Sequence, residues 1–139
     1  MIKSFEDLGV WSDARELCRE IYALISNEPF SKDLALANQM NRSSGSIMDN
    51  IAEGFGRSGN REFIQFLSVS KASCCEVKSQ LYRALDRNYM TKDQADSLLN
   101  KTQSLSNQLG GFIKYLNQSE YKGSKFKETD IMYFNKSES

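Results

Sequence analysis

Apolar residues recur along the chain with a helical period, and the polar residues between them mark where each helix starts and stops. Trp11, Ala14, Leu17, Cys18, Ile21, Leu24 and Ile25 fall at spacings of three and four, which predicts a helix from Val10 to Ser26 with one buried face. Residues 4–9 read as a leading turn in which Phe5 and Leu8 pack down. Glu28-Pro29 closes the helix, because the residue before a proline avoids the helical region. Ser31 reads as the N-cap of a second helix, with Asp33 in its first turn and an apolar face of Leu36, Met40, Ser44, Ile47, Ile51 and Phe55. A third stripe, Phe63, Phe66, Leu67, Ser70, Cys74, Val77, Leu81, Ala84 and Leu85, predicts a helix over 60–88. Thr91-Lys92-Asp93-Gln94 has the form of a capping box. After it, Ala95, Leu98, Thr102, Leu105, Leu109, Phe112 and Leu116 alternate three and four without a break, the pattern of a seam between helices crossing at a shallow angle.

Four helices joined by short links predict an all-α, antiparallel up-down-up-down four-helix bundle over residues 1–117. Residues 118–139 read as a polar tail, interrupted by the apolar tetrad Ile131, Met132, Tyr133 and Phe134. The second helix also carries a face of small and polar residues, Ser43, Ser46, Asn50, Glu53 and Arg57, beside its apolar face. This face either lets another helix approach closely or is simply solvated. The third helix carries a polar seam of Ser73, Glu76, Gln80, Arg83 and Arg87. Antiparallel pairing about Arg57 and Ser58 sets Glu76 across from Gln39, Met40 and Ser43, with Arg42 or Gln39 as its expected partner.

Chemistry narrows less than the pattern does. Gly54-Phe55-Gly56-Arg57-Ser58-Gly59 has the spacing of a dinucleotide fingerprint, but that motif works between a strand and a helix, and here a helix precedes it. Gly54 and Gly56 are instead expected to stop the second helix by adopting positive φ. Glu53, at the negative end of that helix, is expected to turn to Arg57 or to the amides of residues 60–63. The chain has no histidine, which removes histidine-based triads and most zinc and iron sites. Cys18, Cys74 and Cys75 form no C-x-x-C and are odd in number, so a reduced, cytoplasmic protein without cofactor or metal is expected. No apolar run is long enough to cross a membrane, and the N-terminus lacks the apolar core of a signal peptide. Lys+Arg and Asp+Glu are both 18, which argues against strong overall attraction to nucleic acid but leaves room for a local patch.

The combination of Phe5-Glu6-Asp7-Leu8 with Val10-Trp11, Gln39-Met40-Asn41-Arg42, Asn50-Ile51-Ala52-Glu53-Gly54 with Gly56-Arg57, Glu62-Phe63, and Ser73 with Glu76 resembles a bacterial four-helix-bundle family. Its founding members are encoded by intervening sequences of large-subunit rRNA genes. The resemblance covers residues 4–117 and implies a bundle that assembles into a homo-oligomeric ring, typically a pentamer, without enzymatic activity. A related branch serves as accessory proteins of diversity-generating retroelements, where a positive ring is thought to bind nucleic acid. The family's motif residues carry over onto Asn50, Glu53, Gly54, Gly56, Arg57 and Glu76 as organisers of the turn and the helix pairing. Arg57, Arg61, Lys71 and Lys78 are the candidate nucleic-acid contacts. The expected function is a non-enzymatic scaffold binding RNA or a ribonucleoprotein; the alternative is a protein-interaction scaffold that binds no nucleic acid.

Overall fold

The computed structural model describes residues 2–121, and side chains as far as 118. Four long helices carry the fold: α1 (Gly9–Ile25), α2 (Leu34–Phe55), α3 (Asn60–Asp86) and α4 (Lys92–Tyr121). Each packs on its two neighbours, closing the bundle, and the α1–α4 seam is the thinnest of the four. The sequence-predicted stripes are the core. Leu17, Ile21, Leu36, Met40, Ile47, Ile51, Phe63, Leu67, Val77 and Leu81 are buried, and all seven heptad positions of α4 from Ala95 to Leu116 are buried with them. At roughly 1.5–3 kcal/mol for each large apolar side chain removed from water, this burial is the main force closing the bundle.

The ends of the helices depart from the expected ones in instructive ways. A single 3-10 turn, Phe30–Lys32, follows the cis Glu28–Pro29 bond and occupies the place where Ser31 was expected to cap α2. The cap is Asp33, whose Oδ1 accepts the Leu36 amide at 3.3 Å. Asp33 Oδ2 also accepts from Arg87 Nη1 and from the Tyr89 hydroxyl, both at 2.7 Å, so one carboxylate ties the start of α2 to the end of α3. The Tyr89 hydroxyl, the Leu36 amide and Arg87 hold its pKa below the usual carboxylate value.

Beyond α3, the Asn88 amide bonds to the Leu85 carbonyl and the Tyr89 amide to the Ala84 carbonyl, a Schellman closure with Asn88 at φ 61°. Asn is one of the few side chains that tolerate this left-handed position. The capping box expected at Thr91 is present: its amide donates to Gln94 Oε1 at 2.9 Å, and the Gln94 amide donates back to Thr91 Oγ1 at 3.1 Å.

Candidate nucleic-acid interface

The site begins with how α2 and α3 come together. The small polar face of α2 is not solvated along its middle but packs directly on α3. Ser43 Oγ donates to Gln80 Oε1 at 2.6 Å, Ser73 Oγ donates to Ser46 Oγ at 2.9 Å, and Ser70 Oγ donates to the Ile47 carbonyl at 2.9 Å. Asn50 Nδ2 extends this chain, donating to the carbonyl and the hydroxyl of Ser46 at 2.8 and 2.9 Å. Buried hydroxyls replace bulk with short hydrogen bonds, which satisfies each polar group and lets the two backbones approach.

Gly54 completes that approach, for a reason other than the expected one. It lies inside α2, which runs on to Phe55, and Gly56 at the C-cap has φ −74°, so neither glycine uses positive φ. What Gly54 supplies is the absence of a side chain: a Cβ there would stand 2.6 Å from Phe66 Cβ and 3.0 Å from Phe63 Cδ1. Phe63 is wedged edge-on between Phe55 and Phe112, with ring centroids 6.0 and 5.4 Å apart, and so locks the α2–α3 turn to α4.

Around this turn the motif charges take their places. Glu53 pairs with Arg57, Oε1 to Nη2 at 3.0 Å, and the Arg57 guanidinium lies 5.0 Å from the centre of the Phe66 ring. Arg61 is exposed in the first turn of α3. Glu76 sits elsewhere, lining a polar hollow of about 200 Å³ with Gln39, Arg42, Ser43 and Ser46. The expected partnership of Glu76 with Arg42 or Gln39 is not formed. Gln39 Oε1 accepts instead from Arg83 Nη1 at 3.2 Å, two turns further along α3.

Lys71 and Lys78, seven residues apart, share the side of α3 that leans over α4. The Lys71 stem crosses Gly110, its Cε 3.1 Å from where a Cβ of that glycine would be, and Lys78 Nζ donates to Gln103 Oε1. Neither lysine has a carboxylate partner among the described residues. Lys114 lies one turn beyond Gly110, on an open surface of α4 with Ile113 and Asn117. Lys114 is not among the sequence-predicted contacts, although a glycine in an unbroken heptad was the signal that a side chain from α3 crosses there. With α3 rising about 1.5 Å per residue, the cations from Arg61 to Lys78 extend over about 25 Å.

Other chemistry is scarce among the described residues. No group of three or more Cys, Asp or Glu is placed to hold a metal. Burial pushes the Cys74 thiol up to about 12, so it is inert as a nucleophile, while Cys75 is exposed and Cys18 half-buried. No described helix is long and apolar enough to cross a membrane.

Comparison with known proteins agrees with this fold. Residues 6–111 match the model of the 23S rRNA-intervening sequence protein family. The chain belongs to that family. A crystal structure of a protein of unknown function from the S23 ribosomal protein family of Bacteroides thetaiotaomicron superimposes with a TM-score of 0.70 at 26% identity, over 76% of this chain and 98% of the other. No functionally curated protein matches. The motif block around Asn50–Arg57 is where the α2–α3 turn is built.

Proposed function

We propose that this member of the 23S rRNA-intervening sequence protein family is a non-enzymatic, homo-oligomeric scaffold that binds RNA through the α3–α4 face. The observation that carries the reading is the pair Lys71 and Lys78, set side by side on one face with no carboxylate neutralising either among the described residues. Arg57 lies in the turn that leads into this helix, paired with Glu53, Arg61 lies in its first turn, and Lys114 widens the face from α4. The net charge of zero does not oppose this, because a local patch survives in a neutral total, and Asp13, Glu16, Glu20 and Asp93 line another seam, where α1 meets α4. A ring of the kind the retroelement accessory branch forms would repeat the face around its axis, and five weak sites acting together bind far more tightly than one.

Fluorescence anisotropy with a structured RNA, taken from low to physiological salt, tests the reading. Binding should weaken steeply with salt, and Lys71→Glu with Lys78→Glu should flatten the slope by about 1 for each phosphate no longer neutralised. Absence of binding at low salt would favour a scaffold for proteins alone. Light scattering tests the assembly: a pentamer has five times the mass of the 15.8 kDa chain, and a monomer mass would refute the ring.

A further inference from the structure

The thin α1–α4 seam leaves a groove along the bundle. One end, about 260 Å³, is lined by Asp13, Glu16, Leu17, Glu20, Leu105 and Gln108. The other, about 510 Å³, adjoins it at Glu20 and is lined by Ala23, Leu24, Asp93 and Leu98 among others. The floor is therefore apolar and the walls acidic. Lys101 Nζ answers only Glu20 Oε1, at 2.6 Å. Glu20 Oε2 and Gln108 Oε1 are buried acceptors with no donor, which is costly for polar atoms out of water. The groove thus calls for a segment bringing amines to one end and apolar side chains to the other.

The chain carries such a segment. After α4 come Lys122, Lys125 and Lys127 before the first acidic residue, then Ile131-Met132-Tyr133-Phe134. These residues lie beyond the family match, which ends at residue 111. The distances agree as well. An extended chain covers about 3.3 Å per residue, so Lys125 and Lys127 can reach roughly 13–20 Å back from Tyr121 and the tetrad about 33–43 Å. Along α4, at about 1.5 Å per residue, Gln108 lies about 20 Å from Tyr121 and Leu98 about 35 Å. Because α1 runs antiparallel to α4, Asp13 and Glu16 are level with Gln108 and Leu24 with Leu98.

We infer that the α1–α4 groove is the docking site of the chain's own C-terminal segment, with Lys125 and Lys127 at the acidic end and the Ile131–Phe134 tetrad over Leu24 and Leu98. Hydrogen exchange on the full-length protein tests it, with a synthetic peptide of residues 122–139 as the free reference. Amides 125–134 should exchange at least about ten-fold more slowly in the protein than in the peptide. Asp13→Lys with Glu16→Lys, both at exposed positions, should return them to the peptide's rate while α2 and α3 keep their protection. Met132→Asp with Phe134→Asp should speed exchange in α1 over residues 13–24. Peptide-like exchange in the unmodified protein, or protection that ignores both pairs of substitutions, would overturn the proposal. Protection that disappears on dilution would also overturn it, since the groove would then be filled by the segment of a second copy.

Discussion

At the scale of single residues, the structure separates positions that accept change from those that do not. Gly54 is the least forgiving. Its missing Cβ is the space into which Phe66 and Phe63 pack, and the nearest atom is the Cβ of a residue fixed in a helix, so nothing nearby can swing aside. Gly54→Ala should cost about 1–3 kcal/mol, the usual penalty for overpacking, read as a lower urea midpoint at unchanged slope. Asp13 points the other way. Burial raises its pKa, with the Gln108 side chain opposing in part, so its charged form is held less well in the folded protein than in the unfolded chain. That penalty is complete above the raised folded pKa and disappears as pH falls below the ordinary carboxylate value of about 3.9. In a chain ending at residue 121, where no lysine of the C-terminal segment can pair with Asp13, Asp13→Asn should therefore raise the melting temperature at neutral pH, and the advantage should vanish on acidification.

Among the elements, the helices were legible in the sequence and several of their ends were not. Periodicity reports which face is buried, and every apolar stripe read from the sequence meets the core. An end depends on what a polar side chain reaches in space. Ser31 and Asp33 are both good caps in isolation, and only the arrival of Arg87 and Tyr89 from the end of α3 makes Asp33 the pivot. The glycines at 54 and 56 looked like a helix stop because close approach and positive φ call for the same residue. Ser43, Ser46 and Gln80 could equally have faced water, since a polar seam against a neighbouring helix has the same spacing as a solvated one. For Asp33, linkage gives a signed expectation. Its pKa is lowered, so its contribution to stability is present above about 3.9 and is lost as pH falls through the lower folded value. Asp33→Asn should melt below the parent protein at neutral pH, and the gap should close in acid. Asn88→Ala, which forces alanine into the left-handed position, should cost about 1 kcal/mol at either pH.

For the molecule as a whole, the decisive property is that its four seams are unequal. The α2–α3 seam combines a continuous apolar stripe with a chain of satisfied hydroxyls, and α3 is fastened to α4 through Phe63 and Phe112. The α1–α4 seam is sparsely packed, with a groove along its length and two acceptors without donors. Helix α1 is thus held mainly by α2, where the thiol of Cys18 stands against Ser44 Oγ at 3.9 Å. Local opening should follow the weaker seam, because its free energy is set by the packing that the opening disrupts rather than by the stability of the whole fold. Native-state hydrogen exchange should show α1 opening as a unit below the global unfolding free energy, with α2 and α3 exchanging only on global unfolding. Equal protection of α1 and α3 would mean that the α1–α4 seam is closed in solution. The same inequality bears on function, since the cationic face lies on α3 and α4, one helix of it in the strong α2–α3 pair and the other fastened to it through the aromatic wedge. Loosening α1 with Leu17→Ala, at about 2–5 kcal/mol for a buried leucine, should lower overall stability and deepen the difference in protection. On the proposed RNA-binding reading, the affinity should be unchanged at temperatures where the bundle is folded.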